Sequence, residues 1–426
     1  MMYVDKRRCH IGRQMRFHNG ALRSWMWTAI AACAALAATF GAASGAEDKP
    51  ALPPGVLRIW SAAFSPDGKF LASGAGMWDT PGRLVLWDVA AKRPKWVRDE
   101  ELGIANLTYS PDGKWIATGG YDQIGRLIDA ATGKERVKFV GHTAGVNSVS
   151  FSPDSKRLAT AGLDKLVKIW DVESGAELLS LAGHEDMAIT VAFAPDGRRV
   201  ASAGRDRKVI LWDLETEQIV RTFIGHQYWI QQVVFSPDGK YLATAGYDGT
   251  ARVWEVETGR LLSTLSGARG TVNSVAFVPD AMELAAVSSD KSVRFYEVIL
   301  PSQAVKDPAA TAAAVARLDD DAYEVREAAT RELARLGFSA MEELSAGAGA
   351  SKPREMRIRC RRLLDRLQSP PVIRQLKNHE APLQSLSFSP DGNLFATSGS
   401  DGTIMLWDAL NAQSLATLID RPRPKP

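Results

Sequence analysis

A chain of 426 residues, 45% of them hydrophobic, is long enough for two or three ordinary domains or for one large closed unit. Its 52 basic and 49 acidic residues give a net charge of +3, yet the first 46 residues hold six basic residues and one acidic, leaving 46 basic against 48 acidic in the rest. A chain so balanced gives no argument for nucleic acid or for an anionic membrane surface as its partner.

Residues 1–46 read as a signal peptide. Lys6, Arg7, Arg8, Arg13, Arg16 and Arg23 precede an apolar stretch from Trp25 to Ala43, and Ser44-Gly45-Ala46 supplies small residues for cleavage after Ala46. The alternative is a retained anchor, because the uncharged run from Ser24 to Ala46 has 23 residues and is long enough to span a bilayer. Ile30-Ala31-Ala32-Cys33 also resembles a lipoprotein cleavage box, although the apolar stretch before it is short. The expected location is periplasmic or secreted, or membrane-anchored if the leader stays. With Cys9 and Cys33 in the leader, Cys360 stands alone in the mature chain, without a partner for an intramolecular bridge and without Cys-x-x-Cys spacing for a metal. Residues 47–54 are a linker.

From there the chain repeats itself. Pro66, Pro111, Pro153, Pro195, Pro237, Pro279 and Pro390 each follow an apolar run and open a turn; they are spaced 45, 42, 42, 42, 42 and 111 residues apart. Counting 17 residues on from each proline gives Ile128, Trp170, Trp212, Trp254, Tyr296 and Trp407, and in the first repeat Trp87 lies 21 on. Period-two runs bounded by Pro, Gly and Asp at this spacing spell four short strands per repeat. Seven such repeats predict an all-β, seven-bladed β-propeller, with blades one to six over residues 55–300 and the end of blade six and blade seven over 371–426. Each blade is expected to consist of its own consecutive strands. The inner strand near Val56 to Phe64 and the outer strand Ser414 to Ile419 would then close the ring by side-chain packing.

Within the first strand, apolar residues fall at +4, +7 and +9 from the position of His142, as in Val146, Val149 and Phe151. Alternation cannot put +4 and +9 on one face, which implies a bulge between them.

The stretch Gly141 to Ala182, with Gly-His at its start and Trp170-Asp171 near its end, resembles the WD-repeat family. In that family such residues form a buried, hydrogen-bonded tetrad. The resemblance implies tetrads of His142, Thr160, Asp164 and Trp170; of His184, Ser202, Asp206 and Trp212; of His226, Thr244, Asp248 and Trp254; and of His379, Thr397, Asp401 and Trp407. These are expected to be structural, each polar atom satisfying another. Three blades depart from the pattern, at Gly55 in the first, Glu100 and Ile128 in the second, and Ala268, Ala286 and Tyr296 in the sixth. Apolar packing is expected to hold them.

The extra residues of the first blade fall in the loop Gly74 to Gly82, which carries Trp78 either into solvent or back as a lid over the blade end. The long proline step places an insert at residues 301–370 of blade six, before an outer strand at Val372 to Leu376. There the apolar period changes to that of helices. Val325, Ala329, Leu333 and Leu336 line one face after Asp321, with Glu327 and Arg331 paired along the helix. Met356, Cys360, Leu363, Leu364 and Leu367 line a second helix begun near Pro353. The run from Asp319 to Gly337 is similar to a HEAT-type helical pair. The insert should leave the face opposite the Gly-His loops, and its removal should leave the propeller folded. Lys352, Arg354, Arg357, Arg359, Arg361, Arg362 and Arg366 on the second helix present an anion-binding surface or bridge Asp319, Asp320, Asp321 and Glu324 of the preceding turn.

For function, the positions expected to line the channel are Trp60, Ala105, Asn147, Ile189, Gln231, Asn273 and Gln384, followed by Ser61, Asn106, Ser148, Thr190, Gln232, Ser274 and Ser385. None is ionisable, so no catalytic residue, metal ligand or cofactor is assigned. The reading is a non-enzymatic, monomeric scaffold for a protein partner. A small-ligand or glycan sensor is the alternative, and a propeller enzyme a more distant one. The partner-binding candidates are Trp60, Trp78, Arg205, Tyr228, Trp229, Gln231 and Tyr247 on the Gly-His face. Aromatics and arginine do not follow from the repeat there, and they are the residue types that dominate binding hot spots. The competing reading has Trp229 tucked under Tyr228 to plug the gap between blades.

Overall fold

The computed structural model describes residues 57–419 except 280, 282, 299–307, 337–339 and 378. The leader, the linker and Gly55 lie outside the described residues.

Seven antiparallel sheets of four consecutive strands make a seven-bladed β-propeller. Blade three is representative, with strands Val146–Phe151, Arg157–Gly162, Leu166–Asp171 and Glu177–Ala182 from the axis outwards. Blade one opens with Ile59–Phe64 and blade seven closes with Ser414–Ile419, and among the described residues no other strand joins the seventh sheet.

In five blades the first hairpin is fixed by the same local chemistry, a serine hydroxyl bonded to the aspartate two residues on. In blade three the Ser152 hydroxyl donates to Asp154 at 2.5 Å, and both side chains accept backbone N–H groups of the turn, Arg157 N at 2.9 Å and Lys156 N at 3.1 Å. The corner residue then needs a left-handed backbone. Glycine supplies it in blade one, where Gly68 has φ 70°, whereas blade three uses Ser155 at φ 62°.

The expected bulge is present in every inner strand. Ser148 pairs with Ala161 and Val146 with Gly162, leaving Asn147 extra, and the same slip falls at Trp60, Ala105, Ile189, Gln231, Asn273 and Gln384. The residue after the bulge reaches the neighbouring blade. Leu107 N donates to Ser61, Val149 N to Asn106, Val191 N to Ser148, Val233 N to Thr190, Val275 N to Gln232, Leu386 N to Ser274 and Ala62 N to Ser385, all at 2.7–3.2 Å. The inner edge of each sheet has no further strand to pair with, so these side chains satisfy N–H groups that the ladder cannot. Ring closure, expected from packing alone, thus also has hydrogen bonds, with Phe64 N to Ser387 adding one at 3.4 Å.

Buried apolar residues form seven clusters, each between two neighbouring sheets. Blades one and seven share Ile59, Phe64, Val85, Ile404 and Leu418.

Among its described residues the insert has four α-helices rather than the expected pair: α1 (Pro308–Ala316), α2 (Tyr323–Leu336), α3 (Met341–Gly347) and α4 (Arg354–Gln368). It interrupts blade six between the third and fourth strands, and Tyr296 pairs directly with Val372 across its ends. Glu327 pairs with Arg359 of α4 at 2.8 Å instead of with Arg331 along its own helix. The α4 arginines also depart from expectation. Arg359 meets Glu355 at 2.7 Å and Arg366 meets Glu297 of the propeller at 2.5 Å, while the backbone carbonyls of Asp320 and Asp321 accept from Arg326 of α2. The insert is also less independent than expected. Ala314, Leu318, Ala329, Leu333, Leu344, Cys360, Leu363 and Leu367 form one continuous apolar core with the junction of blades five and six.

Candidate functional site

The turn between the second and third strands of a blade places two residues side by side at the channel mouth. The residue before the structural aspartate donates its N–H to the carbonyl three residues after the His position: Tyr121 to Gly103, Leu163 to Gly145, Arg205 to Met187 and Tyr247 to Trp229, at 2.8–3.2 Å. In blades four and five both partners are large, and their side chains make an arc. The Arg205 guanidinium lies 3.6 Å from the centre of the Trp229 ring, and the Trp229 and Tyr247 rings stand 5.3 Å apart at 47°. Arg205 Nη1 is 3.3 Å from Met187 Sδ, and its Nε is buried without a hydrogen-bond partner. Arg205 is stacked as a cation–π pair, with no ion pair among the described residues.

Of the seven binding candidates, the structure brings together Arg205, Trp229, Tyr247 and Gln231, whose side chain interacts with the Tyr247 hydroxyl. Tyr228 is 62% exposed and projects beside the arc. Trp229 is half-buried between Arg205 and Tyr247, across the seam of blades four and five, instead of under Tyr228. Trp60 and Trp78 belong to blade one and make no contact with the arc. Trp60 Nε1 donates to Gly76 O at 2.5 Å, and Trp78 is 42% exposed.

Sequence reasoning passed over Tyr121, although it occupies in Gly-Tyr-Asp the same position as Tyr247. Burial pushes the Tyr121 hydroxyl up to about 12, and proximity to Tyr247 adds to this. Tyr247 is also raised, by burial, against the opposing pull of Gln231 and Arg205. Both are neutral donors at physiological pH, and together they put a polar tip on an apolar surface.

Beneath this face lie the histidines. His184 Nδ1 meets Asp206 at 2.8 Å, its Nε2 meets Ser202 Oγ at 2.8 Å, and Trp212 Nε1 donates to the same Oγ at 2.8 Å. His142 and His226 repeat the arrangement with Asp164, Thr160 and Trp170 and with Asp248, Thr244 and Trp254. The order Asp, His, Ser is that of a hydrolytic relay. Ser202 is nevertheless fully buried and its oxygen already accepts from Trp212, so no substrate carbonyl reaches it. Burial disfavours the charge on Asp164 and Asp206, but the histidine bonds and backbone N–H groups hold both below the usual carboxylate range.

Blade seven differs. Thr397 joins His379 at 2.6 Å and Trp407 at 2.8 Å, but His379 Nδ1 is buried without a partner and Asp401 turns to Thr403 instead. Blades two and six correct the expectation of apolar packing alone. In blade two, Arg126 pairs with Asp122 and approaches Glu100 and Glu135 within 3.4 Å, while Arg98 ties the same two glutamates. In blade six, Arg294 grips Asp290 at 2.6 and 3.1 Å, and Tyr296 donates its hydroxyl to Ser266 O at 2.9 Å. An arginine four residues after the aspartate thus takes the place of histidine. Blade one keeps the last link of a tetrad, Trp87 Nε1 to Ser73 Oγ at 2.9 Å.

Among the described residues no group of three or more His, Cys, Asp or Glu side chains is placed to hold a metal ion. What the arc offers is a stacked cation, Arg205, and three aromatic rings at different depths, Tyr228, Trp229 and Tyr247.

The chain is similar over short stretches to two large proteins. Telomerase protein component 1 of Rattus norvegicus is 37% identical over 82 residues, 18% of this chain and 3% of that protein. The Mus musculus protein of the same name is 37% identical over 83 residues, with the same shares. The chain therefore spans only a few per cent of the length of these curated relatives. The model of the WD domain, G-beta repeat matches residues 55–88, 99–129, 133–171, 175–213, 217–255, 259–297 and 371–408, one match for each blade and together more than half of the chain. With its proline register, Gly-His and Trp-Asp landmarks and seven sheets all in agreement, the chain belongs to the WD40 repeat family.

Proposed function

We propose that this chain is a non-catalytic scaffold that binds a protein partner on the Gly-His face, with the arc of blades four and five as its centre and Trp60 and Trp78 as a second aromatic patch. The observation that carries this is Trp229 held between Arg205, stacked over its face, and the tilted ring of Tyr247, with Tyr228 standing free beside it. Rings fixed in advance by packing lose little entropy on binding, which is what a hot spot requires. Propellers of this family typically bind proteins, which agrees with the reading.

The proposed setting is the periplasm or the cell exterior, supported by the basic n-region, the apolar stretch and the small residues ending at Ala46. The proposed functional form is a monomer.

The test is a crosslinking pull-down from the cell envelope with the parent chain and with Tyr228→Ala. Tyr228 is exposed, so the variant should keep the parent melting temperature and lose the partner. Recovery of the same partner from folded Tyr228→Ala and from Tyr228→Ala/Trp229→Ala would move the site elsewhere. A second reading, a small ligand or glycan stacked at the channel mouth, is favoured by the exposed rings of Tyr228 and Tyr247. It would show as a melting shift with a sugar or metabolite that Tyr228→Ala abolishes.

A further inference from the structure

At the rim of the disk each outer strand carries one residue opposite the position before the Trp landmark, and that residue faces the next blade. Strand pairing identifies it as Trp96, Val137, Leu179, Arg221, Ser263, Arg374 and Ala416 in blades one to seven. In five blades it is large and plugs the notch. Trp96 Nε1 donates to Ala130 O at 3.1 Å; Val137 lies against Gly175; Leu179 packs on the core between blades three and four. Arg221 donates to the carbonyls of Glu257 and Thr258 at 2.7 and 3.1 Å, and Arg374 to those of Ala409 and Leu410 at 2.8 and 3.3 Å.

The two small residues, Ser263 and Ala416, mark notches without a plug of their own. Between blades five and six the insert fills the gap. Ser263 Oγ donates to the Gln368 carbonyl at the end of α4 at 3.3 Å, and Arg366 of α4 pairs with Glu297. Leu262 beside it is 3% exposed, whereas the equivalent Leu178, Val220, Ile373 and Leu415 are 48, 47, 47 and 41% exposed. Between blades seven and one no helix of the described chain takes that place; Lys92 Nζ reaches across to donate to the Leu415 carbonyl at 3.1 Å, and a cavity of about 560 Å³ remains beside it. Its lining includes Leu394, Leu415, Val89 and Asp88. By repeat register these are the counterparts of Tyr241, Leu262, Val298 and Glu297, the first three of them buried in the core shared by blades five and six and the insert, the last paired with Arg366 of α4.

We propose that the notch between blades seven and one is a docking site for a helix of a partner protein. That helix has the chemistry of α4: an apolar stripe entering between Leu394, Leu415 and Val89, and an arginine meeting Asp88 as Arg366 meets Glu297. The fit rests on the molecule's own use of the equivalent surface and on charge, since Asp67, Asp88 and Asp391 outnumber Lys69 and Lys92 around the cavity. Helix-in-groove recognition of this kind needs little more than a row of apolar anchors and one fixed charge. The site is distinct from the channel mouth, and either can stand without the other.

The probe is a labelled peptide of residues 353–369 carrying a photoreactive group, titrated against the full chain. Saturable binding is expected, with crosslinks in 88–92 or 414–419, and Ala416→Trp, which restores the plug that Trp96 provides in blade one, should weaken it by about tenfold or more. Should Ala416→Trp fail to fold, Leu415→Lys at the exposed lip serves the same purpose. Asp88→Lys should weaken binding at low ionic strength, and Tyr228→Ala should leave it unchanged. Absence of binding, binding indifferent to both plug variants, or crosslinks confined to 241–265 would overturn the proposal. Self-association of the chain that Ala416→Trp abolishes would overturn it in favour of a second copy as the occupant.

Discussion

Blades four and six place the same aspartate in the same turn and neutralise it in different ways. Asp206 accepts from His184 Nδ1 and from Glu185 N; Asp290 accepts from the Arg294 guanidinium and from Arg269 N. The backbone bond is common to both, and it ties the loop at the start of the blade to the turn between its second and third strands. The comparison separates what is fixed from what is exchangeable. A buried carboxylate at that corner needs donors, and either a histidine from the preceding loop or an arginine from the third strand provides them.

The largest effect should follow from removing the arginine where it acts alone. Arg294→Ala leaves the half-buried Asp290 without its cationic partner, since Ala268 stands at the His position, and among the described residues only the Ser292 hydroxyl and Arg269 N remain to donate to it. The expected cost is about 3 to 5 kcal/mol, read from chemical denaturation of the full chain. A loss below about 1 kcal/mol, in the range of a surface pair, would show that water reaches Asp290 and that the two blades are not equivalent.

Blade seven lacks both devices and should be the pH-sensitive one. Burial lowers the His379 pKa from 6.5 to about 4, outweighing the attraction of Asp401. The unfolded chain binds this proton in a range where the folded blade does not. Stability is therefore complete above the unfolded value and is lost as pH falls from about 6.5 to 4, by up to about 3 kcal/mol for this group. The tetrad aspartates work in a separate window, below the normal carboxylate range. Melting temperatures at pH 7 and 4.5 should differ less in His379→Gln than in the parent, and parallel losses would remove His379 from the account.

The seven blades were legible because a first-turn proline, recurring at 42-residue steps from blade two to blade six, fixes strand register without any knowledge of contacts. The bulge was legible for a similar reason, since apolar residues at +4 and +9 cannot share a face of a regular strand. The arginines were not. Arg126 and Arg294 lie in strands, where four residues' separation suggests no contact, and only the turn at Asp122 or Asp290 folds the guanidinium back onto the carboxylate. Helix α1 escaped notice because its Ala-rich run buries Ala314 and Val315 but has almost no polar face to set a period. The partners of α4 depend on which blade the insert lies against, which no local pattern encodes. At the channel mouth, Tyr228, Trp229, Arg205 and Tyr247 stood out as departures from the repeat. Their stacking order depends on the seam between two blades and came only from the structure.

The smallest effect is the most specific to the comparison. Blade five has both devices: His226 meets Asp248 at 2.8 Å and Arg252 stands 3.7 Å away from the same oxygen, held near it by Thr250 at 3.4 Å. Arg252→Ala alone should cost less than about 1 kcal/mol, because His226 already satisfies the carboxylate. In a His226→Ala background the guanidinium has room to close on Asp248, as Arg294 does on Asp290 beside Ala268. Removing Arg252 there should cost more than it does in the parent. A double-mutant cycle measured by denaturation should therefore give a combined loss exceeding the sum of the single losses by about 1 kcal/mol or more. Strict additivity would mean that the guanidinium cannot take over from histidine. The arginines of blades two and six would then be solutions that work only with the rest of those blades built around them.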